Sequence, residues 1–110
     1  MRGGGQPNMK QLMQQAQKMQ RQMEQAQAEL AETEVSGTAG GGLVTVTMSA
    51  NGEFRRIQLD PSVVDPDDVE TLEDLVLAAV RNAAEAGRAL TDEKMGPLTA
   101  GMGGSLGLGF

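Results

Sequence analysis

Three groups of residues in this sequence have the types and spacing to do chemistry: the cations Lys10, Lys18 and Arg21, the triplet Gly40-Gly41-Gly42, and the acids Asp65, Asp67 and Asp68. The glycine triplet resembles a phosphate loop only superficially. No Lys-Ser/Thr follows it, and Leu43-Val44 opens a strand pattern instead of the helix N-terminus that would hold a phosphate. A tight turn is the better reading. The acids flank Pro66 where a helix begins, so they serve as N-cap and first-turn charges that complement the helix dipole. They lack the spacing of a calcium loop. His, Cys, Tyr and Trp are all absent, and isolated Ser and carboxylates have no partner base. These absences lead to the expectation of a non-enzyme, with no metal, cofactor or small-molecule substrate.

The cations remain. From Asn8, a good N-cap, the segment MKQLMQQAQKMQRQMEQAQAELAETE is free of Gly and Pro and rich in helix formers. Its apolar residues Met9, Leu12, Ala16, Met19, Met23, Ala26 and Leu30 alternate steps of three and four, the pattern of a helix-pairing seam. The spacing therefore predicts a dimer interface along this seam, soft because it is built from Met and Ala; the alternative is that the stripe covers the protein's own sheet. At about 100° per residue, Lys10, Lys18 and Arg21 fall within an arc of roughly 80° opposite the seam. They form either a solubilising face or an anion-binding strip. The net charge of −6 is unevenly spread: residues 1–56 carry +1 and residues 57–110 carry −7. This asymmetry suggests an anion partner at one end and solubility at the other.

The elements that position these residues are legible in outline. VSGTA reads as a short strand, and LVTVTMSA and EFRRIQLD as a hairpin around Asn51-Gly52. A two-residue turn would set Ala50 opposite Glu53, Met48 opposite Arg55, Val46 opposite Ile57 and Val44 opposite Leu59. Ser49, Phe54, Thr47, Arg56, Thr45 and Gln58 would then face solvent. A second helix opens at Asp65-Pro66 and ends at Gly96-Pro97, with Val69, Leu72, Leu75, Val76, Ala79, Val80, Ala83 and Leu90 covering the hairpin's apolar side. Arg81 and Arg88 share a face with Glu85, spaced to form an ion network. The expected organisation is a flexible segment 1–7, one domain over 8–95, and a flexible Gly-rich tail 96–110 in which Leu106, Leu108 and Phe110 could dock transiently. A domain with about 85 packable residues has a thin core, which favours a partner chain. No run approaches the ~18 apolar residues of a membrane span, and the absence of Cys fits a reducing cytosol.

Four stretches, MKQLMQQAQKMQ (9–20), GTAGGGLVTVTM (37–48), IQLDPSVV (57–64) and DVETLEDLVLAAVRNA (68–83), together resemble the YbaB/EbfC family. The resemblance implies an α+β fold: an α-β-β-β-α protomer with a long N-terminal helix, a small antiparallel sheet and a C-terminal helix, paired into a tweezer-like homodimer. It also implies cytoplasmic, nucleoid-associated binding of duplex DNA, with effects on nucleoid organisation or gene expression and a possible link to recombination or replication proteins. Family members commonly carry Lys where this chain has Thr45, which removes one candidate phosphate contact.

Two functions follow. In the first, a homodimer presents Lys10, Lys18 and Arg21, with Arg55, Arg56, Arg81 and Arg88, to DNA phosphates with low sequence specificity, since the strip holds no aromatic residue for base stacking and no recognition-helix pattern is present. In the second, favoured by the net acidity, the chain is an adaptor that docks on another protein.

Overall fold

The computed structural model describes residues 8–105. The segment 1–7 and residues 106–110 of the tail, including Leu106, Leu108 and Phe110, lie outside the described residues. The order is α1 (Met9–Glu32), β1 (Glu34–Ala39), β2 (Val44–Ser49), β3 (Phe54–Leu59), a single 3-10 turn (Pro61–Val63) and α2 (Val69–Ser105). The strands form one antiparallel sheet ordered β1-β2-β3. This is the expected α-β-β-β-α arrangement.

Helix α1 starts where its N-cap allows, the Asn8 side chain accepting a hydrogen bond from the Lys10 amide at 3.0 Å. Gly40, Gly41 and Gly42 all have φ between 65° and 96°, a left-handed path open to glycine without strain, and turn β1 into β2. Asp60 stops β3 and accepts from the Ser62 amide at 2.9 Å. Hydrogen bonds from the Ser62 backbone and side chain hold its carboxyl below the usual carboxylate range.

The core is small and lies between α2 and the first two strands. Val44, Val46, Ala79 and Ala83 are fully buried and Met48 nearly so. Gly37 of β1 pairs with Val46 and lies directly beneath α2, where a Cβ would overlap the Ala83 amide nitrogen and the Ala79 carbonyl oxygen. The backbones of helix and strand therefore touch, as only Gly against Ala permits.

Both helices are tied to the hairpin turn at Ala50. Its amide donates to the Thr33 carbonyl at the end of α1 (2.8 Å), and its carbonyl accepts from the Thr91 hydroxyl of α2 (3.3 Å). Ala26 and Leu30 are buried, and Glu29 pairs with Lys94 at 3.1 Å. Beyond these contacts the helices extend past the sheet. The molecule measures 81 × 29 × 16 Å with a radius of gyration of 21.6 Å, against about 13 Å for a compact chain of this length.

Four expectations need correction. Helix α2 continues through Gly96-Pro97 to Ser105; Pro97 removes one helical amide but does not end the helix. It begins at Val69, not beside Pro66, because Asp65 caps a separate turn (Asp67 amide to Asp65 Oδ1, 2.9 Å) and Asp68 receives the Thr71 amide at 3.3 Å. Asn51-Gly52 is not a two-residue turn. The Gly52 amide donates to the Ser49 carbonyl, and only Gly52 has positive φ (105°), so Asn51 lacks the left-handed conformation that turn requires. A bulge follows: Val44–Leu59 and Val46–Ile57 pair as expected, but Met48 lies opposite Phe54 instead of Arg55. Finally, α2 packs on β1 and on the β2 half of the hairpin alone, and every residue of β3 is exposed.

Replacing Gly37 with Ala should destabilise the fold by about 3 kcal/mol, since neither backbone can yield cheaply; urea denaturation measures it. Asp60, whose carboxyl is held low, contributes stability that is present above the ordinary Asp value near 3.9 and lost as pH falls through its folded value. The urea midpoint of Asp60→Ala should therefore lie below that of the unaltered chain at neutral pH and approach it in acid.

Candidate nucleic-acid interface

The N-terminal two-thirds of α1 is an arm. Residues 8–18 are all exposed, and Met19 and Met23 are only half-buried. Lys10, Lys18 and Arg21 are exposed on it, and none has an ion-pair partner within 4 Å among the described residues. The acids of α1 begin at Glu24, so no carboxylate on its first four turns competes for these cations. A strip of this kind offers long, hydrated side chains to a polyanion at little desolvation cost.

The seam opposite is divided. Ala26 and Leu30 are buried within the protomer, whereas Met9 is 69% and Leu12 45% exposed. Ala16, Met19 and Met23 line a shallow apolar surface between these two ends.

The four remaining arginines do not join one patch. Arg55 is committed to the protein's own structure: it donates to the Ala31 carbonyl at 2.7 Å and pairs with Glu34 and Glu53 at 3.6 Å each. The bulge brings this about by freeing Arg55 from the side of the sheet that faces α2. Arg56 is exposed opposite Thr47, on the side of Thr45 and Gln58; Thr47 and Ser49, expected to face solvent there, are buried in the central strand, and Phe54 lies on the other side, opposite Met48. Arg81 and Arg88 are exposed on α2, Arg81 on the surface turned away from Ala79 and Ala83 and Arg88 on the flank of Ala84. They form no ion pair with Glu85, so the expected helical network is not made. Arg88 instead borders a groove of about 420 Å³ between α1, the hairpin turn and α2, lined also by Leu30, Met48 and Ala84. Among the described residues no group of three carboxylates converges as a metal site, and no helix is long and apolar enough to cross a membrane.

Residues 5–102 match the YbaB/EbfC DNA-binding family, over nearly the whole chain. The chain belongs to this family. It is 61% identical over 109 residues to a nucleoid-associated protein of Saccharopolyspora erythraea, covering 99% of this chain and 94% of that one. A nucleoid-associated protein of Streptomyces griseus is 59% identical over 106 residues, covering 96% and 93%. Among solved structures, an uncharacterized protein of Helicobacter pylori superposes with a TM-score of 0.69 at 23% identity, covering 88% of this chain and 98% of that one, which establishes a shared fold.

The division between Arg55 and Arg56 is measurable. Arg55→Ala should lower stability by about 1 kcal/mol, a charged hydrogen bond discounted for solvent exposure. Arg56→Ala should change it by less than about 0.5 kcal/mol. Chemical denaturation of the two variants compares them directly.

Proposed function

We propose that the protein binds duplex DNA in the nucleoid as a homodimer, through phosphate contacts of low sequence specificity made chiefly by the α1 arm. The observation that carries this reading is the set of three unpaired cations on one exposed face of a projecting helix, in a chain that belongs to a DNA-binding family. Arg56 on the polar sheet side, Arg81 on the outer surface of α2 and Arg88 at the rim of the groove are secondary contacts, available to DNA that wraps past the arm. Arg55 is the weakest member of the set because its guanidinium is already occupied. The absence of aromatic residues from the strip favours backbone contact over base stacking.

The acidic run from Asp60 to Asp74 supports a second reading, an adaptor for recombination or replication proteins. Like charges would turn that end of the molecule away from DNA and leave it free for a protein. The two readings are compatible if the arm takes DNA and the α2 start takes the partner.

In a DNA-shift titration, log affinity should fall with log salt at a slope of roughly −3 to −4, corresponding to about four neutralised phosphates. The variant Lys10→Glu/Lys18→Glu/Arg21→Glu should lose most of the binding while keeping its helical circular dichroism. Unchanged binding by that variant, or binding without salt dependence, refutes the proposal.

A further inference from the structure

Helix α1 loses the cover on its apolar side partway along its length. Leu30 and Ala26 are buried, Met23 and Met19 half-buried, and Ala16, Leu12 and Met9 exposed, the last two at 45% and 69%. These residues share one side of the helix, and Met13, 57% exposed, flanks it. The outer end of that side is bare apolar surface.

The second half of α2 covers the inner part. Thr33 of α1 and Thr91 of α2 both bond to Ala50, and Glu29 pairs with Lys94 at 3.1 Å, so α1 read backwards and α2 read forwards run side by side. Met95 and Leu98 are half-buried along this stretch. Because a helix advances about 1.5 Å per residue, positions equally far from the ion pair come level. Ser105, where α2 ends, lies ~16 Å beyond Lys94 and level with about residue 18 of α1. The exposed apolar residues, from Ala16 outward to Met9, start just past that level. Cover ends where α2 ends.

We propose that residues 106–110 of the same chain fold back over this surface in extended form, Leu106 meeting Ala16, Leu108 meeting Leu12 and Met13, and Phe110 meeting Met9. In an extended segment alternate side chains share a side at intervals of about 6.6 Å. The sequence Leu106-Gly107-Leu108-Gly109-Phe110 thus sets three apolar side chains against the apolar steps of α1, which recur every ~4.5 to 6 Å. Five residues reach ~17 Å, and Met9 lies only ~14 Å beyond residue 18. The occupant follows from position. The segment begins where the bare surface begins, and so short a tether holds it at an effective concentration on the order of millimolar, which a second copy or a foreign peptide would have to exceed. It carries no charged side chain, as suits a helix side whose cations Lys10, Lys18 and Arg21 lie opposite. Docking there leaves the cation strip open to DNA and closes the apolar side of the arm against association with other molecules.

The chain has no Cys, so introduced thiol pairs report the contact in the full-length protein without DNA. Under mild oxidation Leu12→Cys/Leu108→Cys should close a disulfide within one chain at least about tenfold faster than Gln14→Cys/Leu108→Cys, whose α1 thiol lies on the cation side. Adding Phe110→Ser to the first pair should slow closure several-fold. Mixing chains of two sizes separates links within a chain from links between chains. Equal rates for the two pairs, or indifference to the loss of Phe110, overturn the proposal; links formed mainly between chains overturn it in favour of a second copy. If the thiol variants do not fold, methionine oxidation decides: dilute peroxide should attack Met9 and Met13 several-fold more slowly in the unaltered chain than in Leu106→Ser/Leu108→Ser/Phe110→Ser, and equal rates overturn the docking.

Discussion

The structure depends on how closely α2 approaches the sheet. Gly37 has no side chain, Ala79 and Ala83 have little, and the helix backbone therefore rests on the backbone of β1. Close seating gives dense packing from small residues, which is how a chain with two Phe and no Trp or Tyr obtains a defined core. It also determines where the helix lies. A helix centred on Gly37 packs mainly on β1 and β2, so the thin core and the exposed β3 have one cause.

The same seating orients the arms. Gly87 brings α2 against the Ala50 carbonyl, where an added Cβ would lie 3.0 Å from that oxygen. With Thr33 and Thr91 bonded to the amide and the carbonyl of the same residue, Ala50, α1 and α2 leave the sheet from its hairpin end. The charge distribution follows this geometry. Unpaired cations occupy the first part of α1, while the acids of the turn and helix start lie at the beginning of α2. A net-acidic protein can thus present a locally basic element to a polyanion.

Much of this was legible in the sequence. Asn8 and the Gly-free segment after it marked α1 because local capping and propensity decide a long helix, and alternation gave the correct partners of Val44 and Val46 at the open end of the hairpin. The register failed at Met48, since the Asn-Gly signal does not distinguish a two-residue turn from one followed by a bulge; the conformation of Asn51 decides, and tertiary bonds at Ala50 and Thr33 favour the latter. The offset of α2 was invisible because Gly37 reads locally as a weak strand residue and acquires meaning only against Ala83, 46 positions away. For the same reason alternation set Arg55 at the apolar face opposite Met48, although it is bound to Ala31 and Glu34, whereas Arg56 is exposed as expected.

Phosphate contact by the α1 arm is most directly tested by titrating a short DNA duplex into isotopically labelled protein and following every backbone amide by NMR. Shifts and broadening should concentrate at residues 10–21, with the acidic start of α2 unaffected. Perturbations centred on the acidic segment, or none along α1 while DNA is bound, would contradict the assignment of binding to that helix.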